Sequence, residues 1–563
     1  MDRKEFFQSV KGIPGIRLPG RNSNAGQAPA IPSLNPYVGA WTYETAGHLL
    51  RRTTFGPTHA LINQSVALGM GKTLVQLFKT SPPPAPPLRY ITNVNDPNCP
   101  LGQTWTNKPM VGDLQAQHRE DSLRAWNFML LYNEGMSIRE KLTLFWMNHF
   151  GCGNGRDVRS DYVYVQLLRA GAWGSFKQLV KNVTITPAML HFQNGDVNEK
   201  SAPNENFARE LLELFTIGKG PLIAPGDYTN YTEEDIKMLA KCFSGWRIRG
   251  FWGANNLPYT AGYFDPQYHD TTTKKLSAKF GGVSIPNGGD KEYANVIDII
   301  FQQKEVSHFI CRKLYHWFCY YDIDPVIEAN IITPLATILR NSNFNIMTTV
   351  WALLRSQHFY DVASVVGPMI KNPIDYMLSV LKQSHVALPA NWQDQYSISF
   401  LMHNWLEGWE MDYFGIPGVA GWKAYYQSPL YTRMWINATS LQQRQVFVNR
   451  ILGFGYQVGG EGTGQTIILK IQPIPLLGII SDPADPNAVI AGLARLFFPV
   501  ALPQSQKDAL KYILLPGLPD FEWTEEYADY KSEPTNEAKK NAIETRLKNL
   551  LAAMFMMAEN HLS

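Results

Sequence analysis

Hydrophobic and polar positions recur with a helical period along most of the chain. Leu142, Phe145, Trp146, His149 and Phe150 fall at i, i+3, i+4, i+7 and i+8, which is one face of a helix. The glycine-rich run Gly151-Cys-Gly-Asn-Gly155 predicts its end. Helical periodicity starts near Thr42 and, from Asp113 to Thr216, predicts helix after helix. Thr232-Glu-Glu-Asp235 fits a capping box, so a helix is expected from there towards Gly245. Helices return from about Asp290 to Leu381, with Pro373 starting one, and again from Asp485 onward.

Other stretches break the period. Residues 1–40 are rich in Gly, Pro, Asn and Ser and read as an extended arm. The run Ser81-Pro-Pro-Pro-Ala-Pro-Pro and the turn near Asn95 predict a long, stiff loop over residues 81–110. Residues 250–290 are loop-rich, residues 385–465 are aromatic and irregular around a few helices, and Thr466 to Ile471 reads as a short strand. Strands do not alternate with helices, which argues against a parallel α/β sheet. The expected fold is mainly α, a multi-helix globular array with long irregular loops and at most a minor β element. Its expected parts are the arm 1–40, a helical core 41–385, and an aromatic-rich C-terminal helical part 386–563 packed on the core.

Composition narrows the class. Of 563 residues, 45% are hydrophobic and 18% charged, the balance of a chain with a sizeable core. A net charge of +3, with Lys and Arg only in short pairs, predicts no nucleic-acid partner. No apolar stretch reaches about 18 residues, so no transmembrane helix is expected. Aromatic residues make up 12%, with 15 Trp, which predicts a large aromatic core or, alternatively, a surface for sugars or a partner. Five cysteines without a CxxC pair predict reduced structural thiols. The start, Met1-Asp-Arg-Lys-Glu-Phe-Phe7, is like a degraded twin-arginine signal, but Lys11-Gly-Ile-Pro-Gly15 supplies no apolar segment. The expectation is a charged, flexible arm, with the cytoplasm as default location.

Known catalytic patterns fail on single residues. Gly69-Met-Gly-Lys-Thr73 has the tail of a phosphate loop but Val66 where its first glycine belongs. Gly453-Phe-Gly455 lacks a third glycine at the right spacing, Phe243-Ser-Gly245 lacks the preceding glycine of a nucleophile elbow, and there is no HExxH. The most polar helix is Asn204-Glu-Asn-Phe-Ala-Arg-Glu-Leu-Leu-Glu-Leu214. Its apolar face is expected to hold Phe207, Ala208, Leu211, Leu214 and Phe215, with Asn206, Glu210 and Glu213 opposite and Asn204 as N-cap. Glu205 and Arg209 can pair at i, i+4. Either this is a solvated face, or its carboxylates line a cleft and do acid–base or metal chemistry. His149 lies on an apolar stripe, where a hydrogen-bonded core histidine is the simpler reading. The turn after it, with Arg156, Asp157 and Arg159, can present N–H groups to an anion. His269-Asp270, ahead of Lys274, sits in a loop where such residues ligate metals or titrate. His48 with Arg51 and Arg52 is explained by capping and salt bridging. Candidate catalytic residues are therefore His149, Glu205, Arg209, Glu210 and Glu213; candidate metal ligands are His149, Glu210, His269 and Asp270; candidate binding residues are Asn204, Asn206 and Lys274.

Taken in order, these segments resemble the bacterial family catalogued as domain of unknown function 1800, from about residue 41 onward. The resemblance is carried by His48-Leu-Leu-Arg-Arg-Thr-Thr-Phe-Gly56, Leu144-Phe-Trp-Met-Asn-His-Phe150 and Pro187-Ala-Met-Leu190. It continues through Pro203 to Gly218, Tyr231-Thr-Glu-Glu-Asp235 with Phe243-Ser-Gly-Trp246, His269-Asp270 with Lys274, Gly418-Val-Ala-Gly-Trp422, and the region closing at Pro499. Two positions depart from the pattern: Phe215 stands where many relatives carry His, and Thr272 where the His-Asp loop often has glycine. The resemblance implies a helical fold and no established activity. It also implies a partner, because relatives are often exported and encoded beside sulfatase- and alkaline-phosphatase-like proteins. Three functions are expected: from the implied partnership, an accessory or assembly partner of such an envelope protein, located in the cell envelope if the exported partner carries the chain; from the His and carboxylate candidates, a hydrolase of an envelope polymer or ester, with a divalent metal as its cofactor; and from Trp and Tyr density, a carbohydrate-binding protein.

Overall fold

Thr42 opens the first helix, Tyr43–Thr53, through a reciprocal cap in which its own N–H donates to Thr45 Oγ1 at 2.8 Å and its hydroxyl accepts from the Thr45 N–H. The computed structural model describes residues 32–110, 112–153 and 157–563. Helices dominate them, from His59–Leu77 and Asp113–Asn133 to Glu537–Met556. The strands form four antiparallel two-stranded sheets among the described residues. The fold is mainly α with minor β, as the periodicity predicts. Thr232 and Pro373 start helices where expected, Glu233–Cys242 and Pro373–Gln383. The short strand is real: Thr466–Leu469 pairs with Tyr456–Gly459. Two hairpins stiffen the loop-rich region, Trp246–Arg249 on Ala261–Phe264 and Lys274–Lys275 on Ser284–Ile285.

The Arg139–His149 helix departs from the one-face expectation. Every residue from Glu140 to His149 is buried, polar positions included. Buried polar groups need partners. Arg169 meets Glu140 with two bonds, 2.8 and 2.9 Å, and Trp422 N–H donates to Asn148 Oδ1 at 2.9 Å. Gly421 lies over Asn148 at φ +85°, where a side chain would collide with it. Two motifs far apart in sequence therefore fold as one unit.

The Pro-rich loop is anchored rather than free. Trp105 is fully buried and donates to Ser122 Oγ at 3.0 Å; Tyr90 stacks on Tyr396, whose hydroxyl accepts from Leu88 N–H at 2.9 Å. Residues 32–40 run beside the chain near Arg355, where Tyr37 N–H reaches the Arg355 carbonyl at 2.8 Å. Residues 1–31, with the twin-arginine-like start, lie outside the described residues. All five cysteines are buried and unpaired. Nine of the 15 Trp are buried, so most of the aromatic content builds core. No described helix is long and apolar enough to cross a membrane.

Candidate functional site

The signature segment is not one regular helix. It runs as α-helix over Asn206–Glu210 and as π-helix over Leu211–Thr216. The N-cap is Glu205, without a side-chain cap, and not Asn204 as expected; Asn204 stands one residue earlier and accepts the Asn206 N–H on Oδ1 at 2.9 Å. The wide turn ends where the N–H groups of Ile217 and Gly218 both reach the Leu212 carbonyl, with Gly218 at φ +69°. The added residue rotates the rest of the segment. Leu212 and Thr216 become fully buried with Phe215, while Leu214, expected on the apolar face, is only half-buried.

The polar side of this segment is a charged, partly open surface. Asn206 is exposed. Arg209 holds Glu205 at 3.1 Å, as the i, i+4 spacing predicts, and also grips both oxygens of Glu233 at 2.9 and 2.7 Å. Glu213 pairs with Lys219 at 2.8 Å. Glu210 is half-buried beside Glu213; its carboxyl is raised above the usual range by burial first and by the Glu213 charge second.

His149 is a core histidine. It is 3% exposed, inside a cage of Phe145, Trp146, Phe150, Phe176 and Phe215 rings. Its Nε2–H donates to the Phe215 carbonyl oxygen at 3.0 Å. Burial, aided by the Lys313 charge, holds it far below its ordinary value, so it is neutral. Of the glycine-rich turn after this helix, residues 154–156 lie outside the described residues. Asp157 and Arg159 form a fully buried pair, 3.0 and 2.6 Å, with Arg159 also reaching the Gly250 and Leu257 carbonyls.

His269, Asp270 and Lys274 gather around a residue that spacing alone does not reveal, Glu292, which opens the Glu292–Ile300 helix. Glu292 and Lys274 are fully buried and 2.6 Å apart; His269 Nε2 lies 3.2 Å from the other Glu292 oxygen, which also accepts Gly288 N–H. His269 Nδ1–H donates to the Ser244 carbonyl at 2.8 Å, and Asp270 N–H donates to Ser244 Oγ at 2.9 Å. Gly245, at φ +90°, makes the turn that aims Ser244 here. Both ring nitrogens face acceptors, an arrangement that favours the protonated ring of His269. Burial opposes that charge, but Glu292 and the Ser244 carbonyl outweigh it, so its pKa is raised. Burial likewise opposes the Glu292 charge, while His269, Lys274 and Gly288 lower its pKa overall. Asp270 is also held below its usual range: its burial is outweighed by the Thr272 hydroxyl and N–H, then by Lys274. Protonation of His269 beside Lys274 balances the two carboxylates, as burial favours.

These sets stay apart. The Glu233–Cys242 helix touches the Arg209 network at its first residue and the His269 cluster just past its last, and ten residues span roughly 15 Å. His149, Glu210 and His269 do not form one centre, and no group of three His, Cys, Asp or Glu suited to a metal occurs among the described residues. Glu233 and Glu292 escape sequence reasoning for one reason: each opens a helix, where an acidic residue is explained by the helix dipole alone.

No curated protein and no solved structure matches the chain. A family model described as a protein of unknown function, DUF1800, matches residues 48–558. That match spans nearly the whole chain, and the chain therefore belongs to the DUF1800 family.

Proposed function

We propose that this chain is a non-catalytic accessory or assembly partner of a sulfatase- or alkaline-phosphatase-like protein of the cell envelope. The observation that carries the reading is how the motif side chains are used. His149 ties to the Phe215 carbonyl, His269 and Lys274 close on Glu292, and Arg209 clamps Glu233. Each joins segments distant in sequence and so maintains a shape. A protein that works by presenting a surface needs such ties. The signature segment leads directly into an exposed apolar tip, Leu222 and Ile223, at 62% and 59% exposure. Exposed apolar side chains beside a charged rim suit a protein–protein contact.

The alternative is a hydrolase of an envelope polymer or ester, and Glu210 favours it. A half-buried carboxyl with a raised pKa beside a second carboxylate is the arrangement general acid–base chemistry uses. The carbohydrate-binding reading keeps Trp252 and Trp392, exposed at 48% and 36%. Mixing the purified chain with the sulfatase-like protein encoded beside it separates the first two readings. A stable complex that survives Glu210→Gln supports the accessory role. Ester hydrolysis by the chain alone, lost in Glu210→Gln, supports the hydrolase.

A further inference from the structure

The end of the first helix places two consecutive arginines in the interior. Arg51 and Arg52 are 7% and 3% exposed. Both line a small cavity of ≈ 20 Å³, partly open to solvent, whose polar walls also include Lys141, Asn372, Asp375, Tyr425 and Ser563. Lys371 and Arg444, 3% and 1% exposed, lie close enough to act on the same field.

The charges do not balance. Two residues lining the cavity carry a carboxylate, Asp375 and, at its main-chain end, Ser563, against the three cations Arg51, Arg52 and Lys141; Asp375 is already committed, since Lys141 Nζ binds one oxygen and Asn372 Nδ2 donates to the other at 2.9 Å. Arg52 donates only through Nη2, to the Val365 carbonyl at 2.8 Å, and its Nε and Nη1 have no partner. Arg51 donates Nη2 to the Leu496 and Arg495 carbonyls at 3.0 and 3.4 Å, and its Nε has no partner. Lys371 reaches only the Asn560 carbonyl at 2.8 Å. Arg444 bonds His561 Nδ1 and the Lys371 carbonyl, at 3.0 and 2.8 Å. Burial pushes both Arg51 and Arg52 down to about 10, and burial with the neighbouring cations pushes Lys371 down to about 7. A buried cation without a counter-charge is costly. The His269 cluster shows how this chain neutralises buried cations when the carboxylates are its own.

We propose that this cavity binds an oxyanion of the phosphate or sulfate type, held by Arg52 and Arg51 with Lys141 at its side. Guanidinium groups suit such ligands because they present several donors in one plane and remain charged when desolvated. Asn372 and Tyr425 add neutral polar groups at the wall. The anion is either a free inorganic ion or the charged end of an ester, since both present the same oxygens. The inference stands apart from the partner assignment and uses none of its residues.

The test is calorimetric titration of the full chain with inorganic phosphate, sulfate and phenyl phosphate, at ionic strength fixed with chloride. One site per chain is expected, with affinity at least tenfold weaker in Arg52→Gln. The tighter of the inorganic ion and the ester names the natural source. No binding beyond chloride, or equal binding in the variant, overturns the proposal. Should Arg52→Gln fail to fold, wild-type crystals soaked in tungstate decide. An anomalous peak between Arg52 and Lys141 supports the site, and peaks only elsewhere overturn it.

Discussion

The imidazole of His149 and the carbonyl of Phe215 are joined by a 3.0 Å hydrogen bond across the core, and the π turn at Leu211–Thr216 carries that carbonyl. Two motifs separated by more than sixty residues are thereby fixed to each other. His149→Ala removes a buried ring, opens a cavity and strands the Phe215 carbonyl. A loss of about 2–5 kcal/mol is expected, measured by urea unfolding. His149→Phe keeps most of the packing and loses less. A variant as stable as the wild type contradicts the structural role.

The Lys274–Glu292 pair predicts a different signature. Glu292→Gln leaves Lys274 and His269 as buried cations without their counter-charge and is expected to cost about 3–5 kcal/mol. The double variant Lys274→Met, Glu292→Leu removes both ions, and its cost is expected to fall well below the sum of the single changes. Additive costs in a double-mutant cycle contradict the pairing. Arg209→Met is the contrast. That side chain is one-third exposed, so its loss is expected to cost under about 1 kcal/mol.

Stability is also expected to depend on pH in a definite direction. Burial holds His48, His149 and His561 far below their ordinary value, with nearby cations adding to it. Below about pH 6.5 the unfolded chain binds protons at these positions that the native chain refuses. Their stabilisation is therefore complete above that pH and is lost as pH falls, each contributing up to about 1.4 kcal/mol per pH unit. Guanidinium melts between pH 7 and 5 measure the slope, which His149→Phe is expected to flatten by one proton. His269 runs the other way. Its raised value gives stability that is present below about pH 6.5 and lost as pH rises through the folded value. A proton NMR titration showing His269 at or below its ordinary value contradicts the Glu292 contact.

Much of the fold was legible in local pattern, and the site was legible in identity more than in role. Thr232 and Pro373 signal helix starts through chemistry confined to one turn, periodicity alone marks the start near Thr42, and the structure honours each. The Glu205–Arg209 pair is legible for the same reason, whereas the cap lies at Glu205, one residue beyond the Asn204 that local pattern suggests. What escaped depends on long-range packing. A fixed period of 3.6 places Leu214 inside, and the π turn substitutes Leu212 and Thr216. Glu292 joins His269 only because two elements pack together. Arg51 and Arg52 read as capping and salt-bridging residues, yet both are buried and donate to carbonyls more than 300 residues away.

The most direct test of the accessory assignment is size-exclusion chromatography with light scattering on the purified chain and its neighbouring sulfatase-like protein, alone and mixed, alongside ester hydrolysis by each. The account predicts a stable complex containing both chains, unchanged by Glu210→Gln, and no hydrolysis by this chain alone. Separate elution of the two, with hydrolysis by this chain that Glu210→Gln abolishes, contradicts it.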